Sequence, residues 1–349
     1  MKYIFAALLL FTASLSGGYC FRLYIEQAES YEISARPVPA ETETIPATDA
    51  AENPLEKPTQ PPFDSGFRIV VNLASRGLSL YDHGIQVRLY PVAVGKEWTP
   101  TPTGTFIVME KQEDPEWVDP HQEEIVVPAG EDNPLGTRWL GLGNNYGIHG
   151  TNSPSSIGDY ISNGCIRMYD EDAQELFSLI PVGTPVEIIY NRIVADRQTD
   201  GTVSLYCYPD GYEWQTVDTK DAIESLQRCG VQDFADLSAV AAHIEASSGE
   251  PLFIAQSYPV ISNETNLNFF AVQSNGSTYI PATPLFSAFQ TQWEWNAEKK
   301  EIKSNRRTIP AMQKGTGIYL NADQLGKALR VTGTINNAGQ FELTPAEKK

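Results

Sequence analysis

From Phe67 the chain reads FRIVVNLASRGLSLYDHGIQVRLYPVAVG, in which Val, Ile, Leu and Tyr alternate or form short runs broken by Ser-Arg-Gly and Asp-His-Gly. Side chains that repeat every second residue bury one face of a strand, and breaks this short leave room only for tight turns. The stretch therefore predicts consecutive strands, with His83 as a structural residue of the second turn. Spaced prolines in TPTPTGTF, Thr99 to Phe106, favour an extended path into the next strand. Further on, YDEDAQELFSLIP opens with acidic residues and sets Ala173, Leu176, Phe177 and Ile180 at helical spacing, which predicts an amphipathic helix. GTPVEIIY then returns as a strand. The expectation is a mostly β domain over 67–190 with one packed helix.

At 349 residues, 41% of them hydrophobic, the chain is too long for one typical domain and rich enough in apolar material for more than one core. Residues 1–18 read as an export signal: Lys2 precedes an apolar run from Tyr3 to Leu15, with Ser16 and Gly18 as small residues before a cleavage point. An uncleaved membrane tether is the alternative. Cys20 raises lipidation, but Tyr19 before it is not the small residue such processing wants. Residues 19–66 repeat Glu, Thr, Ala and Pro with little apolar periodicity and read as an extended linker. An irregular acidic insert between Met109 and Gly136 carries Trp117 and His121, either as groove-lining residues or as a solvated loop pinned by one Trp.

After residue 190 the pattern changes twice. Residues 191–250 read as a connector, with DGTVSLYCYPDGYEWQTV as a hairpin turning at Pro-Asp-Gly, followed by two short helices closed by Gly. His243 on the second helix is structural. Cys207 and Cys229 fall within this connector, and in an exported protein they are natural partners for a disulfide that leaves Cys165 free. Two buried thiols are the alternative. Residues 251–349 read as a small α+β accessory domain, with Trp293 and Trp295 either in its core or as a sugar-stacking surface.

The chemistry concentrates in YGIHGTNSPSSIGDYISNGCIRM, Tyr146 to Met168. Pro154, Gly158 and several Ser let the chain double back and bring His149 beside Cys165. A thiol becomes a strong nucleophile when an imidazole takes its proton, so the pair is a nucleophile and base candidate. Gly164 frees the backbone next to Cys165, and the amides of Gly164 and Cys165 could face a developing oxyanion. Arg167 offers a planar fork for a carboxylate. For a Cys and a His taken alone, a small buried hydrophobe and a structural imidazole are the commoner reading. A net charge of −19 argues against a nucleic-acid partner. Gly95-Lys96 lacks the remaining residues of a phosphate loop, and the four His lack metal-site spacing, so neither nucleotide cofactor nor metal is expected.

The runs IHGTN, SIG and SNGCIRM, with IVVNLASRGLSLYDHG, PVAVGKEWTPTPTGTF and NPLGTRWLGL upstream and DAQELFSLIPVGTPVEII downstream, resemble the L,D-transpeptidase family with the YkuD-type catalytic domain. The resemblance covers about Phe67 to Tyr190. It implies an extracytoplasmic cysteine acyltransferase that acts on peptidoglycan stem peptides, needs no cofactor, and holds a flap over its cleft from the acidic insert. Cys165 would be the nucleophile and His149 the general base, with Gly150 orienting the imidazole. Gly164 would serve the oxyanion, and Arg167, Asn163, Ser162 and Thr151 the substrate. Many members carry His where this chain has Asn163. With water as acceptor the same chemistry gives an L,D-carboxypeptidase, and without turnover the fold would be a wall-binding scaffold. The segment from Gly276 is similar to the copper amine oxidase N-terminal-like module, with no metal-ligand cluster in it.

Overall fold

The computed structural model describes residues 66–119 and 122–346. The expected signal, the linker up to Ser65, Cys20 and His121 lie outside the described residues. What is described is mostly β and falls into two compact units, residues 66–191 with 210–215, and residues 192–209 with 216–346.

The first unit is built on one curled sheet. Strand β1 (Phe67–Asn72) pairs antiparallel with β2 (Gly77–Asp82), which hairpins into β3 (Ile85–Gly95). Asp82 pairs with Ile85, so the turn is two residues long. His83 and Gly84 both take positive φ, the conformation that matches the twist of the flanking strands. The path continues through β4 (Gly104–Ile107), β5 (Glu110–Glu113), a small ladder of β6 (Trp117–Val118) with β7 (Val126–Val127), β8 (Arg138–Gly143) and β9 (Tyr146–His149). Then come β10 (Tyr160–Ser162), β11 (Ile166–Met168), helix α1 (Asp170–Leu179) and β12 (Pro185–Ile189).

Strand order is β4-β12-β1-β2-β3-β11-β9-β8-β5, with β10 pairing on β3. The two edge strands, β4 and β5, are neighbours in sequence. Val108 bonds Thr184 while the Met109 amide donates to Gly141, so two residues carry the chain from one edge to the other and the sheet curls on itself. Inside lie Ile69, Leu80, Val92, Ile148, Ile166 and Met168, with Leu176 of the helix against them. Each such aliphatic side chain contributes about 2 kcal/mol by leaving water. Acidic residues fill the first turn of α1, and Lys111 Nζ donates to the carbonyls of Phe177 (2.6 Å) and Ile180 (2.8 Å) at its other end, so both ends of the helix dipole are met. The acidic insert is less irregular than its composition suggests. Part of it forms β5, and buried Asn133 ties its base by donating to the carbonyls of Pro115, Val127 and Pro128.

The second unit begins with a hairpin of β13 (Ile193–Arg197) and β14 (Thr202–Cys207), which turns at Asp200-Gly201. This corrects the expected Pro-Asp-Gly turn: Asp210 to Gln215 belongs to the first unit instead. Helices α2 (Thr219–Gln227) and α3 (Leu237–Ala246) follow, both N-capped by Asp. Next are β15 (Pro251–Ser262), β16 (Thr265–Ser274), β17 (Ser277–Pro281), helix α4 (Ala282–Ala288), β18 (Glu294–Asn296), β19 (Glu301–Ser304) and β20 (Arg307–Pro310). Finally β21 (Met312–Lys314), β22 (Gly317–Asn321), helix α5 (Leu325–Leu329), β23 (Val331–Ile335) and β24 (Phe341–Pro345) complete it.

Because β14 pairs with β15, residues 193–207 and the strands after 250 share one sheet. Cys207 and Cys229 are both buried in the core beside α2 and α3, and both are free. The expected bridge is not formed. Cys207 Sγ lies 3.5 Å from Ser247 Oγ, and burial pushes the Cys229 thiol up to about 11. Trp293 and Trp295 are half-buried against the second core of this unit, around Phe286, Ile302 and Leu325. Among the described residues no helix is long and apolar enough to cross a membrane.

Candidate active site

Strand register assembles the site. Arg167 on β11 pairs with His149 on parallel β9, His149 pairs with Trp139 on β8, and Arg167 pairs with Ala93 on β3, so these residues form one row across one face. Their neighbours Ile148, Ile166 and Met168 point into the core. Cys165 immediately precedes β11, two residues before Arg167, and is close enough for the guanidinium charge to act on its thiol. Gly147 is needed beneath it: any side chain there would collide with the Trp139 ring, which stacks on His149 at 5.8 Å between centroids.

His149 is 4% exposed, and its Nδ1 lies 2.6 Å from the Gly150 carbonyl. A carbonyl only accepts, so Nδ1 carries the proton and Nε2 is left as the basic nitrogen. Burial pulls the imidazole down to about 4. The Gly150 and Leu135 carbonyls resist this, and the positive charge of Arg167 adds to it. The thiol of Cys165 is raised by burial, against the opposing pull of the Gly147 amide and Arg167. Both shifts favour the neutral forms, thiol and imidazole. Sγ lies 3.6 Å from the Asn145 carbonyl, and no hydrogen bond joins it to the imidazole in this arrangement. Attack thus requires the thiol to turn from Asn145 toward Nε2.

The turn before the cysteine is held from below. Gly164 has φ +115°, and a side chain there would meet the Tyr146 ring. Ser162, 2% exposed, donates from Oγ to the Cys165 carbonyl (2.5 Å) and accepts from the Gly164 amide (3.1 Å). Two expectations change. The Gly164 amide is occupied by Ser162 and is not free for an oxyanion, and Ser162 supports the nucleophile turn where a substrate contact was expected. Thr151 is likewise buried, with Oγ1 accepting from the Ser153 amide in its own turn. Asn163 is exposed at the tip. Arg167 is half-buried, and its Nε is buried without an acceptor among the described residues, as befits a fork that awaits an anion.

Three features escaped sequence reasoning. Asp170, read only as part of a helix start, accepts from the Thr137 amide (2.7 Å) and hydroxyl (2.8 Å). It packs so closely on Gly136 and Gly150 that neither could carry a side chain. The carboxylate thereby fixes the segment whose Arg138 carbonyl receives the Gly150 amide. Trp98, 75% exposed with Lys96 Nζ 5.6 Å from its ring centroid, stands on the loop whose Lys96 amide and Thr99 hydroxyl both donate to the Ser162 carbonyl. Lastly, the strap Asp210 to Gln215 comes in from beyond the pattern. Tyr212, 3% exposed, donates to the Gly95 carbonyl (2.7 Å) and accepts from the Thr101 amide (3.4 Å). Its ring packs on Tyr160 and Tyr190, and Tyr190 donates to Asp210 (2.5 Å).

Among the described residues no three His, Cys, Asp or Glu side chains gather as a metal site. Residues 66–188 match the family model of the L,D-transpeptidase catalytic domain, YkuD. The chain is 44% identical over 123 residues to "Putative L,D-transpeptidase YkuD" of Bacillus licheniformis, covering 35% of this chain and 65% of that protein. It thus spans a little under two thirds of that relative. It is 38% identical over 149 residues to "Putative L,D-transpeptidase YqjB" of Bacillus subtilis, covering 41% of this chain and 78% of that one. The solution structure of the catalytic domain of an E. faecium L,D-transpeptidase aligns at 25% identity and TM-score 0.30, over 36% of this chain and 98% of that one. With such identity across most of a relative's length, the chain belongs to the L,D-transpeptidase family, through a YkuD-type catalytic domain.

Proposed function

We propose that the chain is a cysteine acyltransferase of the bacterial cell envelope, exported by its N-terminal segment, that cross-links peptidoglycan stem peptides. What supports this most is the pairing of His149 with Arg167, two residues from Cys165, with Nδ1 tied to Gly150 so that Nε2 is left to accept a proton. Because both shifts favour the neutral thiol and imidazole, the reading gives His149 the part of a general base during attack rather than of an imidazolium holding a preformed thiolate. The thiol passes its proton to Nε2 as Sγ bonds the carbonyl carbon between the third stem residue and its terminal D-Ala. The Cys165 amide is the remaining local donor for the oxyanion. Imidazolium then protonates the departing D-Ala amine, leaving a thioester on Cys165. An acceptor amine attacks that thioester, and its proton returns through His149 to sulfur. Arg167 receives a substrate carboxylate through its free fork, and Asn163 contacts substrate at the exposed tip.

Intact-mass analysis tests the sequence of events. With a disaccharide tetrapeptide and an amine acceptor, Cys165 should carry the acyl group less D-Ala, and cross-linked product should follow. Release of tripeptide alone would make the enzyme a carboxypeptidase, and no adduct on Cys165 would end the proposal.

A further inference from the structure

The acidity of the chain is uneven. Residues 251–349 hold ten Lys and Arg against seven Asp and Glu, a net of +3 in a protein whose total is −19. At physiological salt, charges separated by more than about 8 Å are largely screened. An anionic polymer at the surface of this stretch is therefore met chiefly by the charges close to it.

That surface has a groove. Its volume is 590 Å³, within the range of about 300–1,000 Å³ typical of small-ligand sites. One wall is the exposed face of α4, where Thr283 and Ser287 stand one turn apart. Trp293 lines the groove, and its ring is nearly parallel to buried Phe286, 5.6 Å between centroids and 21° between planes. One face of the indole is thus backed by the core while the groove receives the other, a rigid apolar platform of the kind on which sugar rings rest. On the opposite side, Lys303 projects from β19 between buried Ile302 and Ser304, and Arg306 sits in the turn into β20. Neither cation has an ion-pair partner among the described residues, although Glu294 lies opposite Lys303 in the ladder. Hydroxyls, a flat aromatic face and two unpaired cations together suit a sugar that carries a carboxylate.

We propose that this groove is a second binding site, for a carboxylated amino sugar of the wall glycan, with Trp293 under the ring and Lys303 and Arg306 on the carboxylate. The choice of wall glycan rests on the reading of the chain as a peptidoglycan enzyme. The site would hold the enzyme on an anionic polymer through charges local to the groove.

The test uses the full chain with Cys165→Ala and glycan strands freed of peptide, whose muramic carboxylates are then exposed and which offer nothing to the transpeptidase site. Calorimetry should show binding that weakens with salt and exceeds that of a neutral N-acetylglucosamine oligomer by at least tenfold. The variant Lys303→Gln/Arg306→Asn should lose that tenfold and the salt dependence. Arg306 has φ +59°, which Asn tolerates better than Arg, so the replacement does not threaten the turn. Trp293→Leu should weaken both ligands with its melting temperature monitored alongside. Equal affinity for the neutral oligomer, an unchanged Kd in the double variant, or equally tight binding of a poly(glycerol phosphate) would overturn the proposal. Since no acyl transfer is involved, these results stand apart from any failure of the transpeptidase reading.

Discussion

Replacing Tyr212 with Phe should slow acylation of Cys165 although Tyr212 lies far outside residues 66–188, the span that matches the family model. Its hydroxyl anchors the Gly95 carbonyl (2.7 Å), while Thr101 Oγ1 accepts from the Gly95 amide (2.9 Å). Gly95 pairs with Ser162, and Ser162 Oγ holds both Gly164 and the Cys165 carbonyl. The hydroxyl is thus three contacts from the nucleophile, all made by backbone or short side chains with little slack. Phe preserves the ring packing on Tyr160 and Tyr190, so the change isolates the hydroxyl. Leaving a buried carbonyl unpaired costs about 1–3 kcal/mol of stability. If half of that appears as misplacement of the turn in the transition state, acylation slows about two- to twelvefold, with about fivefold at the middle of the range. The assay is stopped-flow acylation by a carbapenem, with urea unfolding in parallel. The signature is a lower acylation rate constant with unchanged noncovalent affinity for the acylating agent. Acylation within twofold of wild type, despite a measured loss of stability, would refute the path from Tyr212 to Cys165.

Alkylation of Cys165 by iodoacetamide should be slow at pH 6 and keep rising through pH 9, because burial raises the thiol; a rate already flat between pH 5 and 8 would indicate a preformed ion pair. His149 is held at about 4 when folded but near 6.5 when unfolded, so the unfolded chain binds the proton first. Roughly 3 kcal/mol of stability, full above pH 6.5, should therefore be lost as pH falls toward 4, and urea midpoints of wild type and His149→Asn compared at pH 7.5 and 4.5 should diverge accordingly. Asn163→His should change acylation by less than tenfold, since the exposed tip supports no part of the turn; a larger gain would show that a second imidazole is wanted there. Arg167→Gln should raise KM for the tetrapeptide at least tenfold while kcat for the bound complex stays within threefold, read from single-turnover kinetics.

The strands from Phe67 and the helix from Asp170 were legible because burial on one face imposes a period, and the period survives in any sequence that folds this way. Cys165, Gly164, His149 and Arg167 were legible because they sit within one short stretch and carry reactive or permissive chemistry. The supports were not. Ser162 looked like a substrate ligand since a hydroxyl beside a nucleophile suits either role, and only its 2% exposure shows which groups it serves. Pro209-Asp210-Gly211 has the residues of a hairpin turn, but Gly211 leaves no space beside the Tyr160 ring and Asp210 is taken by Tyr190, contacts between residues 51 and 20 positions apart that no local pattern encodes. Cys207 and Cys229 have spacing that suits a bridge, yet each is buried in an apolar core, where a free thiol packs as a small hydrophobe.

The electrostatics of Arg167 favour the proposed role in binding substrate over a role in proton transfer. Its positive charge lowers the thiol, favouring thiolate, and also lowers the imidazole, disfavouring imidazolium. Proton transfer from sulfur to Nε2 creates both charges at once, so the two influences oppose each other and the guanidinium contributes little to the step itself. What it does contribute is a half-buried guanidinium whose Nε is buried without an acceptor among the described residues and whose pKa burial lowers. Under the proposed function, an arriving carboxylate would supply the partner that this fork lacks. In that complex the guanidinium no longer opposes imidazolium with its full charge, and it loses the same hold on the thiolate. The balance between the neutral pair and the ion pair therefore stays nearly where it was in the free enzyme. Chemistry is left to the turn of the Cys165 side chain toward an imidazole held by Gly150, from a backbone that Ser162 holds in place.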